Sequence, residues 1–216
     1  LNHSSIESLF IHDSINDHIT LGNSKIRNIL IRSSEAGKKD FSIKVYDIEG
    51  HKFRLFLEYN LNINFIDNSI NSVNLYCPNS DLTIEEDEKR LKERDLPLAL
   101  GYESISISYV KSLILSQVNI KNSLQLSNIN KNSQLELKKI KFCPDAVLMF
   151  IDSNLSNTFL SNTSLLDIVF IINNTVIKNF VLDNVKWDLK PRIQTNEENK
   201  MELEYLVTIY RDLKNI

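Results

Sequence analysis

The feature that most constrains this chain is a six-residue pattern that keeps returning. It consists of an apolar residue, any residue, Ser or Asn, an apolar residue, any residue and an apolar residue. It reads Ile6-Glu7-Ser8-Leu9-Phe10-Ile11 and returns twenty residues later as Ile26-Arg27-Asn28-Ile29-Leu30-Ile31. It recurs as Ile70-Asn71-Ser72-Val73-Asn74-Leu75 and as Val110-Lys111-Ser112-Leu113-Ile114-Leu115. A second echo links Leu124, Leu126 and Ile129 to Leu135, Leu137 and Ile140. A unit this short cannot bury its own apolar side, so successive units must stack around a shared core. Turning the chain so often needs corner residues, yet its 216 residues hold only four Gly and four Pro. Asn and Ser are abundant instead; Asn tolerates left-handed backbone, and both side chains can satisfy nearby backbone groups.

From Ser153 onward the chain reads in fives, with central residues Leu155, Leu160, Leu165, Phe170, Thr175, Phe180 and Val185. Ser153-Asn154-Leu155 and Thr163-Ser164-Leu165 give the unit its best form. This run resembles the pentapeptide-repeat family. The resemblance implies an all-β fold, a right-handed parallel β-helix or β-solenoid, in which four five-residue units make one square coil. The small residue and the Leu or Phe of each unit would point inward. Ile168, Asn173 and Lys178 stand where small inward residues belong, which points to a looser parallel β-helix there. The expected core comprises Ile6, Leu9, Ile11, Ile26, Ile29, Ile31, Leu155, Leu160, Leu165, Phe170, Phe180 and Val185.

Residues 1–190 are expected to form the solenoid, with insertions at about 37–60 and 78–100. Phe41, Ile43 and Val45, then Phe53, Leu55 and Leu57, alternate about Asp47-Ile48-Glu49-Gly50, which predicts a β-hairpin or two tightly connected strands. Residues 80–95 predict a charged helix, with Glu85–Lys89, Glu86–Arg90 and Glu88–Lys92 spaced for ion pairs and Pro97 beyond it. Residues 191–216 predict a C-terminal helix after a short linker. Thr195 and Glu198 form a capping box, and Met201, Tyr205, Leu206, Ile209, Tyr210 and Leu213 form the apolar face. Tyr205, Ile209, Tyr210 and Leu213 are the candidate interaction residues. The helix would cap the coil stack or link to a following domain. Asn184-Val185-Lys186-Trp187, Arg192 and Tyr210-Arg211-Asp212-Leu213-Lys214 resemble the end of certain bacterial pentapeptide-repeat proteins. That resemblance implies a longer natural protein, continuing towards a membrane region absent from this chain. A first residue of Leu rather than Met fits a fragment.

Little in the sequence points to chemistry. With 25 basic against 28 acidic residues, no pull on nucleic acid is expected, and the long acidic face of a DNA-mimicking topoisomerase binder is not supplied. The longest apolar run, Ala146–Ile151, is strand-sized like Ile168–Ile172, well below the roughly 18 residues of a membrane helix. No signal peptide is visible, so a cytoplasmic location is expected. Gly22, Gly37, Gly50 and Gly101 are scattered rather than gathered in a phosphate loop, and HExxH, CxxC and nucleophile-elbow motifs do not occur. No catalytic, cofactor-binding or metal-ligating residue is therefore assigned, and no cofactor is expected. His12, Asp13, Asp17 and His18 cluster, but without further ligands at fixed spacing they read as a polar corner. Cys77 and Cys143 read as small buried thiols.

Asp67, Asp145, Asp152, Asp167 and Asp183 keep one competing class open. Carboxylates aligned on neighbouring coils could hold calcium in a carbohydrate-active or carbohydrate-binding β-helix. The leading expectation is a non-enzymatic module for protein interaction, scaffolding or sensing. Its partner would be a protein or a second copy of itself. Richness in Ile, Asn and Lys suggests a bacterial, AT-rich source.

Overall fold

A computed structural model describes residues 3–12, 18–33, 41–57, 61–66, 68–78, 80–85, 102–177, 180–187 and 192–194. Eighteen strands run through them. The first are β1 Ser5–His12, β2 His18–Ser33, β3 Phe41–Leu57, β4 Leu61–Ile66, β5 Ser69–Tyr76 and β6 Asp81–Glu85. Next come β7 Tyr102–Ser108, β8 Ser112–Ser116, β9 Asn119–Ser127, β10 Gln134–Lys138, β11 Lys141–Phe142 and β12 Val147–Ile151. The last are β13 Thr158–Ser161, β14 Ser164–Leu165, β15 Val169–Asn173, β16 Phe180–Asp183, β17 Lys186–Trp187 and β18 Arg192–Gln194.

Every pairing between these strands is parallel and in a single sheet wound on itself: the fold is a parallel β-solenoid. One lateral face stacks the first half of β3, then β4, β6, β8, β10, β13 and β16. A second face stacks the second half of β3, then β5, β7, β9, β12, β15 and β18. In the C-terminal coils a short third face, β11, β14 and β17, lies between them.

The register explains why alternating Ile, Leu and Phe suffice. Parallel pairing sets equivalent residues directly over one another, so one inward row reads Leu9, Ile29, Phe53, Val73, Ile105, Leu124, Leu148, Phe170. The row beside it reads Ile11, Ile31, Leu55, Leu75, Ile107, Leu126, Phe150, Ile172. The opposite face contributes Leu21, Val45, Phe65, Ile84, Leu115, Leu137 and Leu160. The rows meet inside, where Phe53 and Phe65 pack edge to face with centroids 4.8 Å apart. Each such fully buried side chain is worth roughly 1.5–3 kcal/mol against exposure.

Among the described residues the left-handed corner positions are taken by residues other than glycine. Thirteen non-glycine residues among those described take positive φ, and they fall into columns. His3, Asn23, Asp47, Gln117, Lys139, Asn162 and Asn184 form one; Asp145 and Asp167 another; Tyr109, Asn128, Asp152 and Asn174 the third. The N–H of a corner residue donates to the next coil, as from Asn128 to the Ile151 carbonyl (3.0 Å) and Asn162 to the Asp183 carbonyl (2.9 Å). The following residue turns inward, and its N–H is met by a side chain from the next coil. Thr163 Oγ1 accepts from Ile140 N at 3.1 Å, Ser153 Oγ from Ile129 N at 3.1 Å, and Asn68 Oδ1 from Ile48 N at 2.9 Å. The same hydroxyls donate to the carbonyl two residues back, Thr163 to Ser161 at 2.9 Å and Ser153 to Ile151 at 2.7 Å. A buried backbone donor left unpaired would cost about 1–3 kcal/mol, so the recurrent small polar residue is a structural requirement.

The sequence expectations need four corrections. The hairpin at Phe41–Leu57 does not form. Both halves of β3 run parallel to β2 and are adjacent faces of one coil, turned at Asp47, with Ile48 buried inside. Gly50 is needed here because a Cβ would come within 2.6 Å of the Ile26 carbonyl oxygen. The insertion expected from about residue 78 starts later: Asp81–Glu85 is a solenoid strand, with Leu82 and Ile84 buried, not the first turn of a helix. Residues 86–101 lie outside the described set; on either side of them β6 pairs with β8 and β5 with β7, so the stack continues. The solenoid also extends through Arg192–Gln194, which pairs with β15, so the C-terminal segment does not begin at 191.

The fourth correction is the coil length. The five-residue reading requires twenty residues per coil, as Ser5 over Lys25 has. In the C-terminal half the residues paired between neighbouring coils lie 22 to 24 apart. Leu155, Leu160, Leu165 and Phe170 are buried within one coil, as a five-residue spacing predicts. The next coil then slips: Leu160 lies over Leu182, and Asn154 bridges Val176. The side between the Asp167 and Asn174 corners is seven residues long, which enlarges the coil and admits Ile168 and Ile172 to the core.

Of the remaining predicted core residues, Ile26, Ile29, Ile31 and Val185 are buried, and Ile6, Leu9 and Ile11 pack partly buried against the core. Phe180 lies in β16, its side chain outside the described set. Most of the charged segment expected to be helical, and all of 195–216 with Tyr205, Ile209, Tyr210 and Leu213, lie outside the described residues.

Candidate functional site

The inward side chains are committed to packing, so outward rows and corners are where this fold can meet another molecule. Its candidate carboxylates are distributed rather than gathered. Asp145 and Asp167 stack at one corner, where Asp145 N–H donates to the Asp167 carbonyl at 2.7 Å. Asp152 lies at another corner, its Oδ1 accepting from Asn174 Nδ2 at 2.8 Å. Asp183 ends β16 beside a third; Asp67 lies outside the described residues. His18 is hydrogen-bonded to Ser42 and Thr20, while Asp13 and Asp17 lie outside the described residues. Among the described residues, no three His, Cys, Asp or Glu side chains gather as a metal site, and no helix is long and apolar enough to cross a membrane. Cys77 and Cys143 are free thiols, the first buried and the second half-buried.

Three outward features remain. On the first coils, Glu7–Arg27 (3.0 Å) and Lys25–Glu49 (2.9 Å) pair across neighbouring coils, with Asn71 and His51 3.1 Å apart beside them. Such exposed pairs contribute only about 0–1 kcal/mol each, and they leave no unbalanced charge.

The second feature is an apolar row on the first lateral face. Register sets Ile114, Glu136, Phe159 and Val181 over one another on β8, β10, β13 and β16. Phe159 is 38 % and Val181 48 % exposed, side by side on adjacent strands.

The third feature is a groove of about 420 Å³ along the corner between the second and first faces. Pro78, Tyr109, Lys111, Asn128, Asn132 and Asp152 line it, contributed by successive coils. The Tyr109 ring stands 45 % exposed and leans on the Tyr76 ring, centroids 5.2 Å apart. Lys111 Nζ is held 3.3 Å from Asp81 Oδ2.

Sequence reasoning missed Tyr76, Tyr109, Phe159 and Val181. Phe159 precedes inward Leu160, and Val181 precedes Leu182, so strand alternation alone sends both outward. Their adjacency appears only once the register is known. No protein-family model matches the chain, and neither a curated protein nor a solved structure matches it.

Proposed function

We propose that this chain is a non-enzymatic interaction module: a stack of coils that presents a lateral face to a protein surface, the simplest partner being a second copy. The row Ile114, Glu136, Phe159 and Val181 carries this reading. Within it Phe159 and Val181 adjoin, and adjoining exposed apolar groups on a folded surface mark contact sites. Here adjacent parallel strands hold them about 4.8 Å apart, so little side-chain or backbone freedom would be lost on docking. Glu136 within the row and Lys138 beside it supply the polar groups that give a face register.

The same reading makes the chain a divergent relative of bacterial pentapeptide-repeat proteins, working in the cytoplasm. Two observations support that kinship. Leu155, Leu160, Leu165 and Phe170 fill one coil at five-residue spacing, and small Ser or Thr residues follow the corners at Ser24, Ser153, Thr163 and Thr175.

Sedimentation velocity from nanomolar to high micromolar protein tests the interaction. Wild type is expected to associate with rising concentration, and Phe159→Asp with Val181→Asp to remain monomeric with unchanged circular dichroism. A wild type monomeric throughout, or a double variant that associates equally well, overturns the reading.

A further inference from the structure

A second surface carries an inference independent of that face. Tyr109 takes φ 58° at a corner whose equivalents in later coils are Asn128, Asp152 and Asn174. Asn and Asp accept left-handed backbone readily, because their short polar side chains bond locally. A bulky aromatic there is an outlier, and strain of this kind clusters at functional sites. The ring is not compensated by burial, since it stands 45 % exposed. It forms one wall of the corner groove, and Tyr76 backs it at 5.2 Å.

Apart from Pro78, Val110 and Ile129, the rest of the groove is polar and almost neutral. Asn128 and Asn132 contribute amides that can donate and accept. Asp152 keeps acceptor capacity beyond its bond from Asn174. The Lys111 charge is matched by Asp81. The groove size lies within the range of about 300–1,000 Å³ common for small-molecule sites.

We propose that this groove binds a neutral pyranose chain. A sugar ring has an apolar face of C–H groups that fits on an exposed phenol ring, and edge hydroxyls that both donate and accept. Tyr109 supplies the platform, and Asn128, Asn132 and Asp152 supply the bonds to hydroxyls. Because the lining comes from successive coils, the groove runs along the stack and suits a chain rather than a single ring. Asp152 disfavours an acidic polysaccharide, and Lys111, the cation lining the groove among the described residues, is already paired with Asp81. A proline-rich peptide could also lie on Tyr109, but the three polar side chains would then have few partners.

Affinity gel electrophoresis against glucan, xylan, mannan and galactan, with a polyproline peptide titrated in parallel, tests this. Tyr109→Asn is the informative variant: Asn suits the backbone, so the fold is kept while the platform is lost. Wild type is expected to be retarded by at least one of the four glycans. Tyr109→Asn should weaken that retardation about tenfold or more, and Tyr109→Phe should preserve it. Retardation by none of them, retardation unchanged in Tyr109→Asn, or binding of the polyproline peptide alone overturns the proposal. Because the readout is glycan binding, its failure is separate from any loss of self-association at Phe159 and Val181.

Discussion

The phenol ring of Tyr46 lies directly on the α-carbon of Gly22, its partner in the coil below. A methyl group on Gly22 would stand 2.1 Å from Tyr46 Cζ. Lys44 Nζ is 5.5 Å from the centre of the same ring. Gly22→Ala must therefore push the ring off its seat, at a cost of about 1–3 kcal/mol. In a Tyr46→Ser background the same substitution has room and reduces unfolded-chain entropy, so it should stabilise by about 0.4–1 kcal/mol. Urea midpoints of the four proteins in this cycle give the answer. Gly50→Ala should cost more than Gly22→Ala, because it meets the backbone oxygen of Ile26 rather than the end of a side chain.

Two threonines should respond in opposite directions to one chemical change. Thr163 Oγ1 satisfies both Ile140 N–H and the Ser161 carbonyl. Thr163→Val leaves the buried Ile140 N–H unpaired, while the Ser161 carbonyl keeps its bond from Lys139 N–H, and should cost about 1–3 kcal/mol. Thr158 lies inward over Leu135, and its buried hydroxyl has no partner among the described residues. Thr158→Val removes that unpaired group at the same volume and should stabilise by roughly 1 kcal/mol. Thermal or urea unfolding of the two variants compares them, and equal signs would contradict the corner scheme.

Asn162 tests the corner itself. It holds φ 50°, and its Oδ1 accepts from Asn184 Nδ2 at 2.7 Å. Asn162→Gly should be tolerated to within a few tenths of a kcal/mol. Asn162→Val, with a β-branched side chain in the left-handed region, should cost about 1–2 kcal/mol. Equal midpoints for Gly and Val would show that backbone conformation at the corner is unimportant.

Cys77 makes stability depend on alkaline pH. Burial pushes its thiol up from 9.0 to about 12. The native chain keeps the proton that the unfolded chain releases. This contribution is thus intact below about pH 9 and lost as pH rises towards 12, at up to about 1.4 kcal/mol per pH unit. Unfolding free energies of wild type and Cys77→Ala, measured from pH 8 to pH 11, should converge as pH rises. A constant difference would rule out the buried neutral thiol. Iodoacetamide at mild pH should label half-buried Cys143 well before Cys77.

Much of the fold was legible because a parallel coil stack converts sequence periodicity directly into contacts. The twenty-residue return of Ile6, Leu9 and Ile11 as Ile26, Ile29 and Ile31 is the pairing of β1 with β2. Strand alternation separated Leu160 from Phe159 in the same way. The hairpin reading of Phe41–Leu57 failed because Asp-x-x-Gly at a tight turn and at a solenoid corner look alike. The β6 strand was hidden because Asp81–Glu85 runs straight into a charged segment.

The sequence by itself determined that short apolar units must stack, and that Ser, Thr and Asn must stand at their corners, since both follow from burial and backbone pairing within a few residues. Only the tertiary structure decided the coil length. A side of the coil can take in extra residues without changing local preference, and that choice sets which residues of neighbouring coils coincide. Phe159 therefore meets Val181, and Tyr109, Asn128 and Asp152 come to one edge. Those groupings depend on separations of about one coil, which no local pattern records.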